Sequence, residues 1–109
     1  MRPISVTVTG VAVSAPIPMD YTATQFSVGI GCVISATATY TVEHTFDDIW
    51  SPSFVAASAT WLPNSGLTAK TANSDGNYAF PVRAIRLNVA ASTGSVTMNV
   101  IQSTSPSIG

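Results

Sequence analysis

The chain has 109 residues, of which 46% are hydrophobic and only 8% are charged, and its formal net charge is −1. An ordinary soluble domain carries about 25% charged residues, so this surface depends on hydroxyl and small side chains, which favours a protein docked in an assembly. The near-neutral charge excludes electrostatically driven nucleic-acid binding, no apolar run is long enough to span a membrane, and the single cysteine excludes an internal disulfide framework.

The length predicts one domain covering residues 1–109. The first ten residues lack the apolar core and the small-residue cleavage site of a secretory signal peptide. We therefore expect a product made and retained in the cytoplasm of the cell that produces it.

Five runs of alternating residues predict half-buried strands, because period-2 patterning in segments rich in Val, Ile and Thr is typical of sheets. The residues predicted to share the inner face of each run are, in chain order, Ile4, Val6 and Val8; Phe26, Val28, Ile30, Cys32 and Ile34; Ala38, Tyr40, Val42 and His44; Ile85, Leu87, Val89 and Ala91; and Val96, Met98 and Val100.

Three breaks between these runs carry turn chemistry. Residues 15–18 include two prolines, which exclude this segment from the centre of a sheet because proline donates no ladder hydrogen bond. Residues 73–77 (NSDGN) predict a tight turn. Residues 91–95 predict a hairpin between the last two strands, with Gly94 at positive φ.

Residues 51–64 are less regular, and a helical turn over 54–57 is compatible with their sequence between two prolines. Short strands punctuated by turns predict an all-β fold, either an antiparallel β-sandwich or a jelly-roll-like barrel.

One cluster, His44 with Asp47 and Asp48, has the residue types of an acid–base or metal site. There is no second histidine to complete such a site. The favoured interpretation is a histidine at a strand end, followed by carboxylates that cap backbone N–H groups. A small hydrolase built on His44 and Asp47 stays as an alternative.

Two other candidates have weaker patterns. Asn73, Asp75 and Asn77 alternate like calcium-loop ligands, but Gly76 comes too early and no glutamate follows. A turn is the favoured interpretation of that segment. Cys32 lies in an apolar run without nearby groups that would lower its pKa, so we predict a buried side chain rather than a nucleophile. The sequence predicts no catalytic residue, metal or cofactor.

Three aromatic residues are the candidate partner-binding side chains: Trp50, Phe54 and Trp61. They lie around the irregular segment, and tryptophans near loops are common at binding hot spots. They are compatible with an interface anchor, with a sugar-stacking platform, or with core packing.

Three stretches resemble small structural proteins of tailed bacteriophages: YTVEHTFDD (40–48), ANSDGNYAFPVRAIRLNV (72–89) and GSVTMNVIQ (94–102). This resemblance implies a virion protein without enzymatic activity, most often a capsid decoration (cement) protein. It also implies binding to the major capsid protein or other virion proteins, as a homo-oligomer. The alternatives are a tail, connector or fibre-associated subunit, and a carbohydrate-binding module that uses Trp50 and Trp61.

Overall fold

The structure, a computed structural model, describes residues 4–21 and 27–103. Within those residues the chain forms nine strands and no helix, in two antiparallel sheets that pack as one β-sandwich. The strands are β1 (Ile4–Thr9), β2 (Ala12–Val13), β3 (Ile17–Pro18), β4 (Ser27–Ser35), β5 (Ala38–Thr45), β6 (Leu62–Pro63), β7 (Ser74–Tyr78), β8 (Ala84–Ser92) and β9 (Ser95–Ser103). The predicted all-β class is confirmed.

Sheet 1 has the strand order β1-β9-β4-β7, and sheet 2 has the order β2-β8-β5-β6, with β3 also paired to β8. The inner faces hold the predicted alternating residues, because a strand sends successive side chains to opposite sides. The buried core comprises Val8, Ile17, Met19, Val28, Ile30, Cys32, Ala38, Tyr40, Val42, Leu67, Tyr78, Val82, Ile85, Leu87, Val89, Val96, Met98 and Val100. Phe26, predicted to begin the second run, lies outside the described residues.

The predicted hairpin over 91–95 is wrong, because β8 and β9 belong to different sheets. The chain turns a corner there, as it also does between β4 and β5. Gly94 has no positive φ; a Cβ atom on it would lie 2.1 Å from the backbone oxygen of Ser35. The two corners are joined by Thr93, whose N–H donates to the Thr37 carbonyl at 2.9 Å. Gly94 is therefore required by the close approach of two chain segments.

The predicted turn over 73–77 is also wrong. Residues 74–78 form β7, an edge strand paired to β4 in the register Ile30↔Gly76. A Cβ atom on Gly76 would lie 2.8 Å from Leu67 Cδ1, so glycine leaves room for a buried leucine. Backbone pairing and this packing outweigh the low strand propensity of Asn, Asp and Gly.

Two further predictions need local correction. Ala91 is exposed rather than inward, because β8 has a bulge at Ala90: Tyr40 pairs with Val89, whereas Thr39 pairs with Ala91. The proposed helical turn over 54–57 is displaced to a single turn in which Ala59 N–H donates to the carbonyl of Val55 at 3.0 Å.

The proline-containing segment 15–18 lies at the edge of sheet 2, as predicted. Pro18 is the second residue of the two-residue strand β3, opposite Ala84 of β8. The sandwich therefore has four edges. In sheet 1 the edge strands are β1 and β7; in sheet 2 one edge is formed by β2 and β3 together, and the other by β6.

Candidate partner-binding surface

The loop 46–61 leads from β5 to β6 and is ordered by two carboxylates. Asp47 Oδ2 accepts the Thr60 N–H at 2.8 Å, which ties the end of the loop to its start. Asp48 Oδ1 accepts the Trp50 N–H at 3.0 Å and pairs with Arg83 Nη1 at 3.1 Å. The carboxylates thus cap backbone N–H groups, as the sequence predicted.

The three predicted partner residues lie in different environments. Trp50 is 68% exposed, whereas Phe54 and Trp61 are half-buried. The Trp61 indole N–H donates to the Ala56 carbonyl at 2.8 Å, and the Arg86 guanidinium stacks on its ring, 4.2 Å from the centroid. Trp61 is therefore an anchor of the loop on the outer face of sheet 2, and Trp50 is the tryptophan available to a partner.

The position of Trp61 is fixed by an ion pair beneath it. Glu43 and Arg86 face each other across β5 and β8, and Arg86 Nε donates to Glu43 Oε1 at 2.7 Å. Their side chains are largely shielded from water, and Asn88 Nδ2 contributes a longer contact of 3.4 Å to Glu43 Oε2. A guanidinium held by a carboxylate offers its flat face to an aromatic ring, so the sheet holds the loop rigidly.

Two exposed phenylalanines were not singled out from the sequence: Phe46, at the start of this loop, and Phe80. Phe46 follows β5 and is 50% exposed; Phe80 follows β7 and is 49% exposed. Their ring centroids are 6.3 Å apart, and His44 and Tyr78 lie beneath them in edge-to-face contacts. The sequence feature that indicates these two residues is an aromatic side chain just after the end of a strand, β5 or β7, where the core no longer covers it.

The buried polar pair of this cluster is His44 and Tyr78, whose Nδ1 and hydroxyl oxygen are 2.7 Å apart. Burial raises the pKa of Tyr78, so the phenol keeps its proton. Burial also lowers the pKa of His44, which favours the neutral imidazole. Both groups are therefore neutral, and the tautomer of His44 decides which of the two donates the proton of this hydrogen bond.

The buried His44 predicts a loss of stability in acid. Its pKa is lower in the folded chain than in the unfolded chain, where an ordinary histidine has a pKa near 6.5. The unfolded state therefore binds the proton first, and the free energy of unfolding should fall as the pH drops below about 6.5. Above that pH the contribution of His44 is fully present.

Urea unfolding at several pH values between 7 and 5 measures this effect. His44 is the only histidine of the chain, so a His44→Gln variant should show a flatter dependence over the same interval. An equal slope in both proteins would contradict the assignment to His44.

The structure separates the predicted acid–base cluster. The His44 ring forms a hydrogen bond with Tyr78, whereas Asp47 accepts a hydrogen bond from Thr60 and Asp48 forms an ion pair with Arg83. Among residues 4–21 and 27–103, no three His, Cys, Asp or Glu side chains are grouped closely enough to hold a metal ion.

The other two candidates are also placed apart from any cluster. Asn73, Asp75 and Asn77 are exposed at and along β7, where alternate side chains are spread at roughly 6.6 Å instead of converging as in a calcium loop. Cys32 is buried, as predicted, and desolvation raises the pKa of its thiol to about 11. The thiolate required of a nucleophile is therefore disfavoured at neutral pH.

No helix in the part of the chain that the structure describes has the length and apolarity needed to cross a membrane. No family model matches this chain, and no curated protein matches it, so the resemblance to phage virion proteins stays a prediction. Among solved structures, the chain is similar to one described as "Bacillus endospore appendages form a novel family of disulfide-linked pili", with 12% identity over 94% of this chain and 85% of that chain and a TM-score of 0.44.

Proposed function

We propose that this chain is a non-enzymatic structural subunit that docks onto a larger protein assembly. The observation that carries the proposal is a set of large, exposed apolar side chains in and next to the loop 46–61: Trp50 and Val55 within the loop, Phe46 at its start, and Phe80, whose ring centroid is 6.3 Å from that of Phe46. We call this group the docking surface. Grouped exposed apolar side chains mark interaction sites, and exposed aromatic residues are typical anchors of interfaces.

The rigidity of the loop supports this proposal. The loop is closed by Asp47, held to sheet 2 through Trp61 and joined to Arg83 by Asp48. A surface that is ordered before binding loses little conformational entropy on docking. The docking surface is therefore suited to binding a partner of fixed shape.

The finer proposal, capsid decoration, rests on the phage resemblance. It makes the major capsid protein the partner and the virion the location of the chain. A tail, connector or fibre-associated position uses the same surface and is distinguished by where the chain is found on the particle.

The carbohydrate-binding alternative loses part of its basis in the structure. Trp61 gives one ring face to Arg86 and its indole N–H to Ala56. A sugar-stacking platform needs a free ring face, and Trp50 is the tryptophan that supplies one.

The experiment is rebinding to particles. Virions or other particles are purified from the source of this chain with its gene deleted, and purified wild-type protein is added back. Trp50→Ala should fold with its stability changed by no more than about 0.5 kcal/mol, as for surface substitutions in general, but should bind the particles at least about tenfold more weakly.

The matched control is Ile101→Ala, which removes an apolar side chain that is 56% exposed on β9, outside the docking surface. It should bind as the wild type does. Equal binding by Trp50→Ala, or the absence of this chain from every particle fraction, would contradict the proposal.

A further inference from the structure

The four edges of the sandwich differ in how they are protected from pairing with another chain. β6 has two residues, one of them Pro63, and β3 has two residues, one of them Pro18. The edge strand β7 carries the charged Asp75, and the Asn64 amide donates to the Asn77 carbonyl at 3.1 Å. Short length, proline, charge and a covering contact are the usual devices that block edge-to-edge pairing.

Within the part of the chain that the structure describes, the fourth edge, β1, has none of these devices. It has six residues, ISVTVT, with no charge and no proline. One side of β1 pairs with β9 over the whole length of β1. On the opposite, outer side, no strand among residues 4–21 and 27–103 pairs with β1. An uncharged edge of this length is a template for strand addition.

Exposed apolar residues lie next to this edge. Val11 and Val13 are 66% and 46% exposed, and they lie at and beside β2, which contacts β1 at the same side of the sandwich. Ile4 and Val6 are half-buried at the rim of the core. This side therefore offers a free strand in sheet 1 and apolar side chains in sheet 2.

We propose that two copies of this chain pair through their β1 strands in antiparallel orientation, which joins the two copies of sheet 1 into one continuous sheet. In the register that we infer, Thr7 faces Thr7 of the partner and Ser5 faces its Thr9. In this register the hydroxyl side chains on the outer face of one β1 strand lie opposite hydroxyl side chains of the other. The same register also places the inward Val6 opposite the partner's Val8, because side chains directly opposite share a face.

A second copy fits this side better than a single extended peptide does. A peptide added to β1 would extend sheet 1 alone, whereas Val11 and Val13 belong to the edge of the other sheet, about 10 Å away in a packed sandwich. A two-fold axis through the β1 pair brings the β2 edge of each copy toward that of the other. The second copy then covers the β1 edge of sheet 1 and the β2 edge of sheet 2 together.

This pairing uses the side of the sandwich opposite the docking surface. In sheet 2 the strand order is β2-β8-β5-β6, so β2 and the loop next to β6 lie at opposite edges. Each copy would keep its docking surface free. The inference therefore stands independently of the proposed docking, and rebinding of Trp50→Ala to particles does not test it.

The first test is the molar mass in solution, measured by light scattering and sedimentation over a concentration series. Thr7→Lys places a charge on an exposed position of β1 and faces it with the same charge in the partner. We expect a dimer for the wild type, and a dissociation constant raised at least about tenfold for the variant, because like charges directly opposite oppose pairing.

The matched control is Asn99→Lys, which adds the same charge on an exposed position of the neighbouring strand β9. It should dimerise as the wild type does. A monomeric wild type at about 100 μM, a concentration that populates specific micromolar complexes, would overturn the proposal. So would a Thr7→Lys dimer of unchanged affinity, or equal weakening by both variants.

The second test is cross-linking, which stays informative if Thr7→Lys does not fold. Directly opposite Cα atoms in an antiparallel pair are about 4.5–5.5 Å apart, within the range for a disulfide. Thr7→Cys should therefore form a covalent dimer on mild oxidation. Asn99→Cys should not, because three strand spacings, roughly 14 Å, separate the two copies of β9.

The native Cys32 does not interfere, because it is buried in the core. Failure of Thr7→Cys to cross-link, or equal cross-linking of both cysteine variants, would overturn the β1 pairing.

Discussion

Replacing Gly94 with alanine should destabilise the fold more than any other glycine-to-alanine change considered below. The added Cβ atom would lie 2.1 Å from the Ser35 oxygen and 2.9 Å from the Ser35 carbonyl carbon. These are backbone atoms, so no side-chain rotation relieves the clash. The two corners that carry the chain between the sheets would have to separate. They are joined by the 2.9 Å bond from Thr93 N–H to the Thr37 carbonyl. A second bond of the same length, from Gly10 N–H to the Gly94 carbonyl, ties the link between β1 and β2 to the β8–β9 corner.

We expect a loss of about 3 kcal/mol or more, at the upper end of overpacking effects. For a chain of this size that lowers the Tm by more than about 10 °C. Two glycines serve as controls. Gly31→Ala points a methyl group into open space within β4 and should change the stability by less than about 1 kcal/mol.

Gly10→Ala meets no atom but requires alanine at a φ of 74°, which costs about 1–2 kcal/mol. The expected order of destabilisation is therefore Gly94, then Gly10, then Gly31. Thermal melts of the three variants measure it. If Gly94→Ala were no worse than Gly10→Ala, the close approach at the corner would not be what requires glycine there.

The corner also shows where sequence reasoning reached its limit in this fold. Alternation along β4, β5, β8 and β9 identified nearly every inward side chain, because burial on one face is a local property of a strand. Whether β9 joins β8 or leaves for the other sheet depends on which strands it meets, Ile4–Thr9 and Ser27–Ser35. A short link rich in Ser, Thr and Gly is compatible with either path, so the prediction of a hairpin failed.

A similar limit explains the missed strand β7. Its residues favour turns by intrinsic preference, and the features that make it a strand lie elsewhere in the chain. They are the backbone of β4 and the buried side chain of Leu67, which packs on Gly76. Non-local packing of this kind leaves no pattern in the segment itself.

The candidate surface was predicted in part. The irregular segment with Trp50 does form an exposed loop, and the carboxylates at its start cap backbone N–H groups. The sequence could not distinguish Trp50 from Trp61, because the difference arises from Arg86, which is 25 residues further along the chain and held by Glu43. The pairing of Phe46 with Phe80 likewise depends on two strand ends meeting.

Truncating Tyr40 should cause the other large loss of stability. Tyr40 is fully buried between the sheets, and its hydroxyl donates to the Ala72 carbonyl at 2.7 Å. The hydroxyl also interacts with the Cys32 thiol of β4, and burial raises the pKa of Tyr40, so the phenol stays protonated. Tyr40→Ala removes an aromatic ring from a closed core and leaves a cavity, which costs about 3–5 kcal/mol.

Tyr40→Phe distinguishes the contribution of the ring to stability from that of the hydroxyl. It keeps the packing but removes the hydrogen bond to the Ala72 carbonyl. Because Ala72 is exposed and water can bond to that carbonyl instead, we expect a cost of about 0.5–1.5 kcal/mol. Urea unfolding should therefore rank the wild type above Tyr40→Phe and Tyr40→Phe above Tyr40→Ala. Equal stability of the two variants would mean that the ring contributes nothing beyond its hydroxyl, contrary to its full burial.

The reactivity of Cys32 reports on the same site without a denaturant. In the wild type its thiol is buried and has a pKa of about 11, so a thiol reagent such as DTNB should react only when the sandwich opens. When opening and closing are fast, the labelling rate follows the open population, which rises about tenfold for each 1.4 kcal/mol of lost stability. By the same relation we expect labelling at least about 100-fold faster in Tyr40→Ala than in the wild type, and about two- to tenfold faster in Tyr40→Phe. Rapid labelling of the wild type would contradict the placement of Cys32 in the core beside Tyr40.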